Sequence, residues 1–160
     1  MREALLAIIE RNSRIDIKEL AILLGAEEAA VANELAAMET EGIICGYHTL
    51  IDWEKTSNEK VTALIEVRVT PQRGQGFDSI AERIYQYPEV QSVYLISGGY
   101  DLMVILEGKT LREVSAFVSD KLSTLDSVLS AATHFILKKY KDHGTVIARK
   151  KEDEREMITP

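Results

Sequence analysis

The chain has one cysteine, Cys45, among its 160 residues. A single cysteine excludes an internal disulfide and any metal site built from several cysteines. Because Cys45 follows Ile43 and Ile44, we expect it to be a small buried apolar residue rather than a nucleophile. No apolar run approaches the roughly 18 residues of a membrane-spanning helix, and the first residues lack the apolar segment of a signal peptide. The sequence therefore predicts a cytoplasmic protein with no metal, no cofactor and no membrane partner.

Positive charge is scarce in the first third of the chain. Residues 1–45 hold four lysine and arginine residues against nine aspartate and glutamate residues, a balance of −5 within the total of −7. No lysine or arginine lies between Glu19 and Glu54. Because most non-specific affinity for nucleic acid comes from contacts of lysine and arginine with phosphate, this third has few groups with which to bind DNA.

Three apolar repeats at helical spacing occupy the same third. Asp16, followed by Glu19, predicts the N-terminal cap of a second helix, and Gly25 predicts its end. A third helix is predicted from about Glu28 to near Gly42. Two short helices joined by a turn that contains glycine are typical of a helix-turn-helix, although a plain three-helix bundle gives the same pattern. The apolar positions of the three helices are Leu5, Ile8, Ile9, Ile17, Leu20, Ala21, Leu24, Val31, Leu35 and Met38.

From Val61 onward, period-two stretches alternate with helical ones. The order strand-helix-strand-strand-helix-strand predicts a ferredoxin-like fold, a four-stranded antiparallel sheet with both helices on one face. The strands are predicted at 61–69, 90–96, 102–106 and 128–140, and the helices at 77–85 and 111–125. The whole chain is thus divided into a helix-turn-helix domain at 1–45, an extended linker at 46–60, a ferredoxin-like domain at 61–145 and a charged tail at 146–160.

The second face of such a sheet must be polar, covered by a ligand or packed on a partner. We expect both faces to be fairly apolar, on account of Leu64, Val93, Leu95, Met103 and Ile105. A monomer would leave a large apolar patch in water, so the pattern predicts a homodimer that packs sheet against sheet.

A joint of turn residues, Ser97-Gly98-Gly99-Tyr100-Asp101, separates the two middle strands. We expect the paired glycines to supply the positive φ values of a tight hairpin turn. They also leave backbone amides unshielded, so a small polar ligand can approach them, and Asp101 suits an ammonium group. The alternative is a hairpin turn with no ligand, in which aspartate is a common residue.

The order and spacing of these features resemble the Lrp/AsnC family of transcription regulators. The similarity covers about residues 1–145 and implies an α+β protein, in which a winged-type helix-turn-helix domain precedes a ferredoxin-like domain for dimerisation and ligand binding. It is carried by Glu19-Leu20-Ala21 with Gly25, by Glu39 to Gly42 with Ile43-Ile44, by Gly46-Tyr47, and by Gly98 to Asp101.

The resemblance implies a DNA-binding regulator that responds to an amino acid or a related small metabolite. In that family the dimers commonly assemble into octamers, and the effector binds at interfaces between dimers. Within the helix that reads double-stranded DNA, only Asn33 offers a bidentate amide to a base edge, and Arg14 and Lys18 are nearby candidates for phosphate contact. The effector contacts carried over by the resemblance are Gly98, Gly99, Tyr100 and Asp101.

Two other functions remain open. Family members usually carry arginines along the reading helix and serine or threonine at its cap, where this chain has Glu27, so one alternative is an oligomeric metabolite-binding protein that has lost DNA binding. A more remote one is an enzyme similar to the sirohaem decarboxylases, which share the two-domain plan. His48, His134 and His143 are scattered along the chain, so the sequence predicts no catalytic residue. The basic cluster Lys138–Lys141 is interpreted as a solvated strand end.

Overall fold

The computed structural model describes residues 1–58, 60–70, 74 and 76–147. It divides the chain into two compact units, a helical unit of Met1–Leu50 and a sheet unit that begins at Ile51. This division falls inside the stretch predicted as a linker. Within the described ranges, no helix combines the length and hydrophobicity of a membrane span, and no three metal-binding side chains come together.

The helical unit contains the three predicted helices: α1 (Arg2–Arg11), α2 (Ile17–Leu24) and α3 (Glu28–Thr40). Their predicted apolar faces form one core, except that Ile17, at the start of α2, is 40% exposed and lies outside it. The side chains buried in that core are Leu5, Leu20, Ala21, Val31 and Met38, with Ile8, Ile9, Leu24, Leu35 and Ile44 partly buried around them.

Local hydrogen bonds fix both ends of α2. The Asp16 carboxylate accepts a hydrogen bond from the Glu19 amide at 2.7 Å, as the capping pattern predicts. Gly25 ends the helix at φ 61°, a left-handed conformation that glycine adopts without steric cost. Glu27 caps α3 by position only, because its side chain accepts no capping hydrogen bond.

The segment after α3 contains no regular strand. Residues 43–52 form no ladder, so the helical unit has no wing of paired strands there. Instead, the amides of Ile43 and Ile44 both donate to the Met38 carbonyl, at 2.9 and 3.2 Å, and close the end of α3. Cys45 is exposed rather than buried, because the chain has already left the core, and its thiol donates to the Gly42 carbonyl at 3.2 Å.

The sheet unit has the predicted ferredoxin-like topology. Its four main strands form one antiparallel sheet in the order β2-β3-β1-β4. A π-helical turn at Val118–Leu122 extends the last helix. The elements are β1 (Val61–Val69), α4 (Gly76–Tyr85), β2 (Val90–Leu95), β3 (Leu102–Gly108), α5 (Leu111–Phe117), β4 (Val128–Phe135), β5 (Lys141–Asp142) and β6 (Thr145–Val146).

Both helices pack on one face of this sheet. Alternate residues of β1 and β3 point into a single core with α4 and α5, because successive strand side chains point to opposite faces. The most buried members of this core are Ala63, Ile65, Val67, Ile84, Leu102, Val104, Leu106, Val114 and Leu122. Val93 lies opposite Val104, and Leu95 lies opposite Leu102. These two residues therefore belong to the helix-covered face, and of the five apolar residues named in the sequence analysis only Leu64, Met103 and Ile105 lie on the other face.

The last long strand is shorter than predicted. The Ile136 amide donates to the Thr62 carbonyl at 2.9 Å, near the start of β1, so no neighbouring strand remains for the residues that follow. Leu137 is accordingly 92% exposed. A small hairpin of β5 and β6 comes next, and its two turn residues, His143 and Gly144, have φ values of 43° and 78°. Positive φ at both turn positions is the requirement of a type I′ hairpin.

Replacement of Asp16 by alanine tests the α2 cap. We expect Asp16→Ala to lower the stability of the helical unit by about 1 kcal/mol, the usual contribution of an N-cap side chain. Glu27→Ala is the matched control, because Glu27 has the same cap position on α3 without the hydrogen bond. Urea unfolding followed by circular dichroism measures both, and an equal loss in the two variants would contradict the cap.

Candidate functional site

The predicted ligand-binding joint is a four-residue loop between β2 and β3. The Ile96 amide donates to the Asp101 carbonyl at 2.8 Å, and this bond closes the loop of Ser97–Tyr100. Ser97, Gly98 and Gly99 are exposed, and Tyr100 is partly buried. The structure therefore places three predicted effector residues, Gly98, Gly99 and Tyr100, in this loop at an end of the sheet, and the fourth, Asp101, directly after it.

Neither glycine of the loop has a positive φ. The expectation of a tight hairpin turn was therefore wrong. Its physical reason is the loop length, because two-residue hairpins need positive φ whereas four-residue loops are built mostly on type I turns. Packing does not require the glycines either: a Cβ atom on Gly99 would meet no heavy atom within 4 Å, and one on Gly98 only Ile96 Cγ2 at 3.6 Å.

The loop also has unused hydrogen-bond donors. In the part of the chain that the structure describes, the amides of Ser97, Gly98, Gly99 and Tyr100 donate to no protein acceptor. Three of these four residues are exposed, so an anionic group can approach their amides from solvent. Since the glycines carry no side chain, a ligand carboxylate has direct access to the backbone there.

Asp101 connects this loop to the neighbouring strand. Its amide donates to the Val67 carbonyl at 3.0 Å, and its carboxylate oxygen Oδ2 accepts a hydrogen bond from the Val69 amide at 2.8 Å. The Asp101 side chain thus accepts the hydrogen bond of the Val69 amide at the end of β1, where a neighbouring strand would otherwise supply a carbonyl. The other oxygen, Oδ1, accepts no hydrogen bond within the described residues, so it is the oxygen that can receive an ammonium group.

The sheet face away from the helices is a mixed apolar and charged surface, which we call the open face. Its apolar side chains are Leu64 on β1, Tyr94 on β2, and Met103 and Ile105 on β3, with Ala132 on β4. Its polar side chains are Glu66, Arg68, Ser92, Glu107, Ser130 and His134. His134 Nε2 lies 3.5 Å from Glu66 Oε1 on the adjacent strand, as expected for a residue that points away from Phe135. No described helix covers this face.

In the helical unit, Asn33 lies at the centre of the outward face of α3. Successive residues of an α-helix are rotated by about 100°, so Asn33 points away from the buried Val31 and Met38. The exposed neighbours of Asn33 on this face are Ala29, Ala30, Ala36 and Thr40. The outward face of α3 is therefore uncharged, although the helix as a whole is acidic.

The two predicted phosphate contacts lie near the start of α2. Arg14 is exposed in the loop between α1 and α2, where its amide donates to the Asn12 side chain at 3.1 Å. Lys18 is exposed in the first turn of α2. Over the described part of the chain, no hydrogen bond or ion pair joins Arg14, Lys18 or Asn33 to one another, so all three side chains stay available to a partner.

Hydrogen bonds inside the helical unit hold three of the acidic side chains of α3 and its end. The Arg2 guanidinium donates to Glu34 and, through two nitrogens, to both carboxylate oxygens of Glu41 at 2.6 and 2.8 Å. These bonds lower the pKa of Glu41 and raise the pKa of Arg2. The Tyr47 hydroxyl donates to Glu39 Oε1 at 2.7 Å, and this bond raises the pKa of Tyr47. The sequence alone did not suggest these pairs, which join residues up to 39 positions apart.

The sequence also did not suggest a charged groove of about 620 Å³ in the sheet unit, at the end of β3 remote from the loop. Lys121, from the π-helical turn, donates to Glu89 at 2.6 Å, which lowers the pKa of Glu89. The Lys121 ammonium also lies 5.1 Å from the ring centre of Tyr87 and 5.4 Å from that of Phe117. This cluster holds the π-helical turn against the chain before β2.

Comparison with known proteins bears on both units. The model of the Lrp/AsnC ligand binding domain matches residues 62–146. The chain is 49% identical to the uncharacterized HTH-type transcriptional regulator YugG of Bacillus subtilis, over 98% of this chain and 95% of that protein. It is 28% identical to the HTH-type transcriptional regulator LrpA of Pyrococcus abyssi, over 86% and 94%. A solved structure of the transcriptional regulator NMB0573 of Neisseria meningitidis in complex with L-Met shares the fold, with a TM-score of 0.69 and 24% identity over 86% and 88% of the two chains.

Two substitutions of Asp101 separate its hydrogen bond from its charge. Asp101→Ala leaves the Val69 amide without an acceptor, so we expect a loss of about 1–3 kcal/mol in stability. Asp101→Asn keeps a carbonyl oxygen for that amide and removes only the charge, so we expect a smaller loss. Thermal unfolding measures both variants. Equal stability of Asp101→Ala and the unaltered protein would show that the bond to Val69 contributes nothing.

Proposed function

Because the chain belongs to the Lrp/AsnC family of helix-turn-helix transcriptional regulators, we propose that its loop at Gly98–Asp101 binds the effector that controls its attachment to DNA. The effector is an α-amino acid or a close relative of one. The helical unit contacts double-stranded DNA, and the sheet unit binds the effector and joins protomers. The protein carries out no chemical reaction on either partner.

One observation carries the effector site: the glycine pair is required neither by backbone conformation nor by packing. What the missing side chains provide is access to amides that have no protein acceptor. Those amides can bind a carboxylate, and Asp101 Oδ1 can bind an ammonium group. An α-amino acid carries both of these charged groups. The Neisseria meningitidis regulator, which shares the fold, was solved with L-methionine.

The DNA contact rests on the outward face of α3. Asn33 can donate to and accept from one adenine edge, and small alanine side chains on either side allow close approach to the major groove. Arg14 and Lys18 contribute phosphate contacts, but two cations per protomer give weak affinity. Linking several helical units in one assembly raises the effective concentration of each for a second site on the same DNA.

The open face is the surface that joins two protomers. Of its five apolar side chains in the single chain, Tyr94 and Ala132 are exposed and the other three are partly exposed, and neither α4 nor α5 covers this face. Packing this face on its counterpart in a second copy removes that surface from water. The assembly is a homodimer at least, and further association of dimers into octamers follows the pattern of the family.

The second candidate function is a metabolite-binding protein whose helical unit no longer binds DNA. The absence of lysine and arginine between Glu19 and Glu54 favours it. Catalysis has less support, because His134 lies on the open face, His143 lies in the β5–β6 turn, and His48 belongs to the helical unit.

Gly99→Ala tests the effector site. The added methyl meets no protein atom within 4 Å, so the stability of the ligand-free protein should stay unchanged. The methyl does stand between an approaching carboxylate and the loop amides, so affinity for the effector should fall by about tenfold or more, as expected when a charged hydrogen bond is lost. A thermal-shift screen of the common amino acids, L-methionine among them, identifies the ligand, and calorimetry measures its affinity.

Gly25→Ala is the matched control for this experiment. It adds the same methyl at a residue with φ 61°, so it should lower stability and leave effector affinity unchanged. Unaltered affinity in Gly99→Ala would reject the loop as the binding site. If no amino acid raises the melting temperature of the unaltered protein, the proposed effector class is wrong.

Ile105→Glu tests the dimer surface. Ile105 lies on a central strand of the open face, opposite Leu64 and Ser92, so a glutamate there would bring two like charges together in a sheet-to-sheet dimer. We expect light scattering to report a monomer. Leu111→Glu is the control, because Leu111 is 56% exposed on α5, on the other side of the sheet. A monomeric unaltered protein, or an unchanged mass for Ile105→Glu, would rule out this surface.

A further inference from the structure

We propose that Arg2 sets the strength of DNA binding by neutralising Glu34 and Glu41, the two carboxylates that its guanidinium holds beside α3. The inference rests on the proposed contact between the helical unit and DNA. It assigns to Arg2 a positioning and charge-balancing role, distinct from the phosphate contacts assigned to Arg14 and Lys18.

In the structure the Arg2 guanidinium is engaged with two carboxylates of its own unit. Its Nε donates to Glu34, and its two terminal nitrogens donate to the two oxygens of Glu41. Arginine can make such a forked contact because its donors lie in one plane with fixed directions. All three nitrogens are therefore engaged with carboxylates of the same unit. Arg14 and Lys18 form no ion pair among the residues described.

The neutralised carboxylates lie beside the uncharged face of α3. By the rotation of about 100° per residue, Glu34 flanks the Ala29–Asn33–Ala36 face on one side, and Glu28 and Glu39 flank it on the other. Glu39 is bonded to the Tyr47 hydroxyl, and Glu28 lies in the first turn, where the helix dipole favours an acid. Glu34 and Glu41 are the acids of α3 and its end that receive a compensating positive charge.

Loss of that positive charge should increase the repulsion between the helical unit and the phosphates of bound DNA. The helical unit has few cations, and removal of Arg2 also frees two carboxylates. Repulsion between exposed charges decays over about 8–10 Å at physiological salt, so the effect should be greatest at low ionic strength. The sequence of α3 is acidic, but in the folded unit Arg2 of α1 neutralises part of that negative charge.

The test measures binding of the full chain to a labelled duplex of random sequence by fluorescence anisotropy at low and physiological salt. Non-specific duplex is suitable because the electrostatic part of binding does not depend on sequence. We expect Arg2→Met to weaken binding by about three- to tenfold at low salt, and the pair Glu34→Gln with Glu41→Gln to strengthen it by a similar factor. All three substitutions combined should bind at least as tightly as the unaltered protein.

Arg83→Met is the control for net charge, since it removes one exposed arginine from α4 in the sheet unit. It should change affinity by less than about twofold, because Arg83 lies outside the helical unit to which the DNA contact is assigned. Circular dichroism checks the helix content of every variant. If Arg2→Met loses helix, the combined triple substitution decides the question, because it removes the charges on both sides of the ion pairs: affinity below that of the unaltered protein would show that Arg2 contacts phosphate directly.

The outcomes separate this inference from the proposed function. If Arg2→Met weakens binding and the glutamine pair fails to restore it, Arg2 contacts phosphate directly and the inference is wrong. If the unaltered protein binds DNA and Arg2→Met binds equally well, only the inference fails. If neither the unaltered protein nor the glutamine pair binds at low salt, DNA binding by the helical unit fails together with it.

Discussion

Burial of alternate strand residues on one side of the sheet is the constraint on which the sheet unit depends. Ile65, Val104 and their neighbours pack against α4 and α5, so every residue between them must point the other way. The helices cover one face and leave the open face to solvent in the single chain. At one end of the sheet, β1 and the two strands that flank the loop meet at Asp101, which bonds to Val67, Val69 and Ile96. The candidate dimer surface is a consequence of the one-sided core.

Charge in the helical unit is organised by contacts that the linear sequence hides. The acidic residues of α3 lie along its flanks, and Arg2 and Tyr47 bond to three of the acids of α3 and its end. The outward face, with Asn33 at its centre, is left uncharged. An acidic composition therefore does not by itself describe the surface that this helix presents to DNA. Two candidate functions remain, a DNA-binding regulator and a metabolite-binding protein that no longer binds DNA. They differ in how much of the acidity of α3 is neutralised in the folded unit.

Local signals in the sequence were sufficient for the order of the elements and for the helix ends at Asp16 and Gly25, because hydrophobic period and capping act over a few residues. Features that depend on register were not predictable. The pairing of β2 with β3 is irregular between Val90 and Ser92, and this shift decides which face Val93 occupies. The bond from the Val69 amide to Asp101 and the pairs of Arg2 join residues 32 to 39 positions apart, and no periodic pattern reports such contacts. The loop length of four residues, rather than its glycines, determines the backbone conformation of the joint.

The freedom around Gly99 has a consequence for the evolution of ligand choice. The fold demands nothing of this residue, since its backbone conformation is open to any amino acid and its surroundings are empty within 4 Å. Mutations there can alter the shape of the candidate effector site at little cost to the native state. If this loop holds the effector, substitutions within it can change which ligand is preferred while the sheet scaffold is inherited unchanged.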